Sequence, residues 1–245
     1  MTTARSGNTV SSLMTVRAAI RSAADPVYAE KVRRFFKTGP GEYGEGDIFI
    51  GVRVPVLRKI AACHRDISLD EITALLCSPV HEDRMTALIF LTLRFKKATQ
   101  EEQKKIYTIY MEHTRYINNW DLVDISAPYI PGAYLFPDGK SELTALVKSK
   151  NLWERRIAIV SAYYFIKNRA FNPVITLSEM LLADREDLLH KAAGWMLREA
   201  GKRDIKVLTD FLDKHCRNMP RTMLRYAVEK LPERMRKRYR TAREV

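Results

Sequence analysis

The chain has 245 residues, 46% of them hydrophobic, with 42 lysines and arginines against 29 aspartates and glutamates, a formal net charge of +13. That apolar content excludes global disorder, and the length suits one large domain or a continuous array of repeats. The basic excess points to a polyanionic partner, because lysine and arginine gain affinity by releasing counterions from phosphates; nucleic acid is favoured over an anionic membrane surface or a basic surface with no dedicated partner.

The first nine residues are polar and lack the apolar segment of a secretory signal. No apolar run reaches bilayer length either; the longest, Ala87 to Leu93, stops at Arg94. The expected location is the cytoplasm, with residues 1–10 flexible. Lys37 to Pro55 breaks the helical pattern and holds five of the ten glycines, so it reads as a loop. It has neither a G-K-[ST] motif nor a preceding strand, which excludes a P-loop and a dinucleotide fingerprint. Its amides suit a phosphate nest, and its plainer reading is a structural connection.

Helix signals then dominate. Ser68 with Asp70 and Glu71 opens one helix, Thr99 with Glu101 and Glu102 another, and Ser141 with Glu142 a third. Apolar residues recur at three- and four-residue steps in Val80 to Phe95, Ile106 to Tyr116, Trp153 to Ile166, Leu188 to Met196 and Ile205 to Leu212. Pro220 suits the first turn of the last long helix. Residues 234–245 form a basic tail, read as a last helix or a frayed arm. No stretch predicts sheet. Cys63, Cys77 and Cys216 make no C-x-x-C pair, so buried inert thiols are expected, with no disulfide framework and no metal site.

The helices read as a repeat. E-D-R-M-T-A-L (82–88), E-R-R-I-A-I-V (154–160), L-H-K-A-A-G-W (189–195) and M-P-R-T-M-L-R (219–225) each place one basic residue at the start of an apolar helix: Arg84, Arg156, Lys191 and Arg221. The spacing calls for a further copy near position 120, where N-N-W-D-L-V-D-I puts Trp120 in the basic slot. Two helices per period of roughly 30–36 residues is a HEAT-like signature. The predicted architecture is an all-α, HEAT-like helical repeat solenoid, one domain over 1–245, with a concave basic groove that fits a duplex. For any single basic residue, a surface helix end is an equally good reading.

Trp120 precedes Asp124 by four, Trp153 precedes Arg156 by three, and Trp195 follows Lys191 by four and precedes Arg198 by three. Residues so spaced share a helix face. Asp124 and Asp121 are exceptions among positive slots. A carboxylate facing phosphates is repulsive, so it needs a purpose. Stabilising an oxocarbenium-like sugar and orienting a water are such purposes, as in glycoside hydrolysis. Indole faces add cation–π attraction. Asp121, in a first turn, reads as a helix-dipole partner. The five histidines are scattered, and no H-E-x-x-H, zinc-deaminase or G-x-S-x-G motif is present.

W-D-L-V-D (120–124), N-L-W-E-R-R-I-A-I (151–159), K-A-A-G-W-M-L-R-E (191–199) and G-V-R-V-P-V-L-R (51–58) together resemble the AlkD-type DNA alkylation repair glycosylases over roughly 25–230. The resemblance implies a HEAT-like fold with a concave basic cleft. It implies removal of positively charged alkylpurines, such as N3-methyladenine and N7-methylguanine, from double-stranded DNA by a monomer using no metal or cofactor. It assigns Asp124 as the catalytic carboxylate and Trp120 and Trp195 as the aromatic pair beside the lesion sugar. It makes Arg156 and Arg198 backbone-binding arginines and brings Arg53 and Arg58 to DNA in the first loop. Lys191 and Arg84 extend that DNA-binding set through the repeat. R-F-F-K places Phe35 where the family pattern has a tyrosine, keeping the ring and losing the hydroxyl. Arg53 replaces a neutral polar residue. The predicted activity is a monofunctional glycosylase, since the motif places no Schiff-base lysine. A non-catalytic HEAT-repeat protein that binds damaged or structured DNA is the principal alternative, and a protein-interaction solenoid a third.

Overall fold

The computed structural model describes residues 12–242. The stretch 1–10, expected to be flexible, and the last three residues of the basic tail lie outside the described residues. Within them the chain is all-helical, and its β-type pairing is confined to one isolated parallel bridge, Ile48 to Val80. It divides in sequence between Arg94 and Phe95 into two compact units.

The first unit contains α1 (Ser12–Ser22), α2 (Pro26–Phe35), α3 (Val54–Cys63), α4 (Leu69–Leu76) and α5 (His81–Phe95). Helix α1 packs on α3 and α4 through Val16 and Ile20, which are fully buried along with Ala61 and Leu75. Ser68 caps α4 as predicted: its side chain accepts from the Glu71 amide while the Glu71 carboxylate takes the Ser68 amide. Helix α5 opens on four consecutive ionisable residues, His81, Glu82, Asp83 and Arg84, all buried. Burial of charge is tolerated only with partners, and each has them. Arg84 donates to Asp47 at 2.6 Å and to the Ser78 and Pro79 carbonyls at 3.1 and 3.0 Å. His81 Nδ1 lies 3.1 Å from the other Asp47 oxygen, with its ring stacked on Phe49 at 4.3 Å. Asp83 receives the Arg21 fork at 2.7 and 2.8 Å and the Ser78 hydroxyl at 2.7 Å. Burial alone pushes the Asp47 carboxyl up, but the His81 hydrogen bond and the Arg84 charge hold it below its ordinary value.

The second unit contains α6 (Gln100–Glu112), a 3-10 turn (Thr114–Tyr116), α7 (Trp120–Ser126), α8 (Pro131–Tyr134), α9 (Lys140–Leu146), α10 (Leu152–Lys167), α11 (Asn172–Met180), α12 (Asp187–Gly201), α13 (Ile205–His215), α14 (Arg221–Ala227) and α15 (Glu233–Thr241). Helices α8, α10, α12 and α14 pack one against the next, and α9, α11 and α13 pack on that row. Gly194 allows the closest of these approaches, since a Cβ there would lie 2.4 Å from the Met223 carbonyl and 2.6 Å from Tyr226 Cβ. Helix α10 is buried nearly all round, with Ile157, Ala158, Ile159 and Val160 fully inaccessible, as its even apolar distribution requires.

Three sequence expectations are corrected here. Helix α9 starts at Lys140 with Gly139 as its N-cap, because the Ser141 hydroxyl is spent on the neighbouring Glu142 carboxylate at 2.7 Å. Pro220 is the N-cap of a seven-residue helix, and the last helix is α15, inside the basic tail. That helix is docked by Tyr239, which is 1% exposed and whose phenol burial pushes up to about 12. The thiols are not uniformly buried: Cys216 is, Cys77 is half-buried and Cys63 is exposed.

A local hydrogen-bond pattern recurs ahead of α5, α10 and α12, one residue out of the predicted register. At Ser78 the hydroxyl accepts the Val80 amide at 3.2 Å and donates to Asp83, while Arg84 grips the Ser78 and Pro79 carbonyls. At Ser149 the hydroxyl accepts the Asn151 amide at 3.0 Å and donates to Glu154 at 2.5 Å, while Arg155 grips the Ser149 and Lys150 carbonyls at 3.0 and 3.1 Å. At Asp184 a carboxylate oxygen accepts the Glu186 amide at 2.9 Å, and His190 Nε2 lies 2.7 Å from the Asp184 carbonyl. Equivalent positions are therefore Arg84, Arg155 and His190. Arg156 and Lys191 fall one position later and face elsewhere.

Candidate active site

Helix α7 starts where the sequence changes from Asn118-Asn119 to the apolar-patterned W-D-L-V-D-I-S. Asn119 has extended backbone and its side chain accepts the Trp120 amide at 2.8 Å, capping the helix. Leu122, Val123 and Ser126 turn inward. Ser126 donates to the Leu122 carbonyl at 2.6 Å, and its Oγ lies 3.0 Å from the hydroxyl of Tyr110 on α6. Tyr110 is fully buried, and its phenol is pushed far up by burial, so it stays neutral beneath α7. The opposite face of α7 presents Trp120 and, one turn later, Asp124, both half-buried.

Asp124 is gripped from α10. Arg156 Nε donates to Asp124 Oδ1 at 3.0 Å and Nη2 donates to Oδ2 at 2.8 Å, the two-point geometry that suits a guanidinium and a carboxylate. The third nitrogen, Nη1, donates to the Leu188 carbonyl on α12 at 2.6 Å. One arginine thus links α7, α10 and α12. Arg156 is 4% exposed, whereas the Asp124 side chain keeps 18% of its surface open. Burial pushes the Asp124 carboxyl above the usual range, the Arg156 charge and hydrogen bonds oppose that rise, and Asp121 adds to it. A carboxylate has about four lone-pair directions, and the fork uses two. The fork leaves acceptor capacity on the Asp124 carboxylate unused.

Helix α12 runs on from Leu188 through Lys191 to Trp195, a three- and four-residue progression on one face. The Trp195 ring lies 6.5 Å from that of Tyr163 on α10, tilted by 32°. Tyr163 follows Arg156 by seven, so the two share a face of α10. The Arg203 guanidinium sits 5.5 Å over the Tyr163 ring. Sequence reasoning missed Tyr163 and the Leu188 carbonyl; the seven-residue step from Arg156 was the available signal for the tyrosine.

Two members of the expected DNA-binding set lie inside the protein. Arg84 is 3% exposed and committed to Asp47, and Arg156 is committed to Asp124 and Leu188. Both guanidiniums are already desolvated and paired, so neither is a surface contact for phosphate, and the predicted stripe of Arg84, Arg156, Lys191 and Arg221 is not one exposed face. Lys191 is partly exposed and paired with Asp187 at 2.9 Å. Arg198 is paired with Glu229, which ties α12 to the segment after α14. Trp153, also aligned by spacing with Arg156, is buried in the core.

In the first unit, Phe35 is 66% exposed at the end of α2, with its ring edge-on to Phe36 at 5.1 Å. Arg53, the N-cap of α3, is exposed and its guanidinium stacks 3.9 Å from the Tyr28 ring centroid. Arg58 is exposed one turn into α3. Among the described residues no group of three or more histidines, cysteines or carboxylates is arranged to hold a metal ion, and no helix is long and apolar enough to cross a membrane.

No curated protein matches the chain. A solved structure described as a predicted DNA alkylation repair enzyme from Enterococcus faecalis superposes with a TM-score of 0.67 at 17% identity, covering 86% of this chain and 97% of that one. At that identity the likeness speaks for the fold. The family model for DNA alkylation repair enzymes matches residues 16–231, and the chain belongs to that family.

Proposed function

We propose that the protein is a monofunctional DNA glycosylase that hydrolyses the N-glycosidic bond of cationic alkylpurines such as N3-methyladenine and N7-methylguanine. The observation that carries this reading is the Asp124 carboxylate, 18% open, one helical turn from Trp120 and held by a buried arginine from a second helix. In the reaction the bond from C1′ to the base nitrogen breaks, and its electron pair leaves with the base, which becomes neutral. Positive charge passes to the sugar. The open oxygens of Asp124 face that charge and orient the water that adds to C1′, and the proton shed by the water passes to the carboxylate or to solvent. The indoles of Trp120 and Trp195 supply electron-rich faces to the cationic sugar and base. Lys191 and Arg198 contact the duplex on the same helix as Trp195, and in the first unit Arg53, Arg58 and Phe35 meet DNA. Lys191 and Arg198 exchange carboxylate for phosphate on binding. Arg156 aims Asp124 and opposes the rise that burial imposes on its carboxyl.

The test is release of methylated bases from alkylated duplex by the wild type and by Asp124→Asn. Release by the wild type and its loss in the variant support the reading; equal release by both overturns it. One observation favours a second reading. The Asp124–Arg156 fork would also serve as a purely structural clasp in a protein that binds altered DNA without cutting it. DNA binding with no base release by the wild type would select that reading.

A further inference from the structure

A buried, many-bonded carboxylate of the first unit lies outside the site described above. Glu82, second in α5 and 3% exposed, accepts three consecutive backbone amides of the loop between α2 and α3. Its Oε1 takes Ile50 at 3.1 Å, Gly51 at 2.7 Å and Val52 at 3.2 Å, and its Oε2 takes Ile50 at 3.1 Å. Amides turned to one anion in this way form a nest, here filled by a side chain of the protein. The curvature needed to aim them together appears at Gly51, with φ at +86°. A Cβ at Gly51 would lie 2.1 Å from the Asp25 carbonyl and 2.7 Å from the Ala29 amide nitrogen, so the loop is pressed onto the start of α2. The Asp25 amide in turn donates to the Ile50 carbonyl at 3.1 Å.

The next residue out of this clamp is Arg53. Val52 is buried, Arg53 is exposed, and the Arg53 guanidinium lies on Tyr28, in the first turn of the helix that the loop is pressed against. The backbone of Arg53 is fixed through Glu82 and its side chain through Tyr28. We infer that Glu82 is a positioning residue for DNA binding: it presents Arg53 to phosphate in a preset orientation, reducing the ordering cost of that contact. The inference rests on the DNA-binding part of the proposed function and is independent of base excision.

The test is a double-mutant cycle of Glu82→Gln and Arg53→Ala, read by binding to a short unmodified duplex over a salt series. Glutamine keeps the length of the side chain but turns an NH2 group toward amide donors. Each single variant should weaken binding roughly tenfold, and Arg53→Ala should flatten the salt dependence by about one phosphate contact. The double variant should bind no more weakly than Arg53→Ala alone. Losses that multiply, or wild-type binding by Glu82→Gln, overturn the inference. Should Glu82→Gln fail to fold, Glu82→Asp keeps the charge but not the reach, and its loss must likewise vanish in the Arg53→Ala background. A wild type that binds no duplex at any salt defeats the DNA-binding reading itself. Binding without base release defeats only the glycosylase and leaves this cycle intact.

Discussion

Arg156 holds Asp124 at two points, 3.0 and 2.8 Å, while itself almost fully buried, so the acid of the candidate site is fixed by a base that solvent scarcely reaches. The pair is asymmetric: the arginine is spent, and the carboxylate keeps a small open surface. Removing either side has different consequences.

Asp124→Asn should lose excision by about two to three orders of magnitude, the range found when a group facing transition-state charge is removed, and should also lower stability by about 3–5 kcal/mol because the buried Arg156 charge loses its counter-ion. Single-turnover release of 7-methylguanine checks this, with affinity for unmodified duplex measured alongside and expected to stay near the wild-type value.

The pH profile tests the same pair. Burial raises the Asp124 carboxyl above its ordinary value, and Arg156 opposes the rise. An ionised carboxylate is required, so excision is present above the folded pKa and fades as pH falls through it, at a higher pH than the ordinary aspartate value of about 3.9. Arg156→Gln removes the opposing charge and should move the acid limb to higher pH. Rates corrected for spontaneous depurination show it; an unmoved limb means that another group is titrating.

Asp47→Asn should destabilise the first unit by about 3–5 kcal/mol, because it leaves the buried Arg84 charge without its counter-ion. The sign with pH follows from the depressed carboxyl. This stabilisation is complete above the unfolded value of about 3.9 and is lost as pH falls through the lower folded value. Denaturant melts of wild type and variant at neutral and acid pH should converge on acidification.

Gly194→Ala adds one methyl where α12 meets α14, with the Met223 carbonyl only 2.4 Å from its position. The backbones must separate, at about 1–3 kcal/mol. A lowered thermal midpoint is expected. A midpoint unchanged from wild type would show that α14 yields without strain.

The helical elements were legible because α5, α10, α12 and α13 carry long apolar patterns, and Ser68 and Thr99 cap where their side chains predict. The placement of Trp120 and Asp124 on one face of α7 followed from a four-residue step alone. The partner of Asp124 did not. Choosing Arg156 over Arg155 as the inward arginine depends on helix packing, and adjacent residues on a helix point about 100° apart. Periodicity put Arg156 in a phosphate-binding stripe, but packing turns it inward, and Arg155 takes the surface-side role with Asp184 at 2.9 Å. Arg84 was misread for a similar reason. Its counter-ion Asp47 lies 37 positions earlier in a glycine-rich loop, and no local pattern announces such a pair.

The hydrogen-bonded locks at Ser78 and Ser149 bear on how this protein tolerates being cut and rejoined. Each lock closes within seven residues, from the serine to the arginine, and needs no distant side chain for its serine, acid and carbonyl contacts. Blocks bounded just ahead of one serine and the next would carry their own helix start, but a block beginning at Ser78 also needs the Asp47 and Arg21 partners of Arg84 and Asp83, and one beginning at Ser149 needs Asp124 for Arg156. A junction placed inside Ser149–Arg155 would separate the hydroxyl from its acid and the arginine from its carbonyls, so a chimera joined there would lose the start of α10 and, with it, the arginine that holds Asp124.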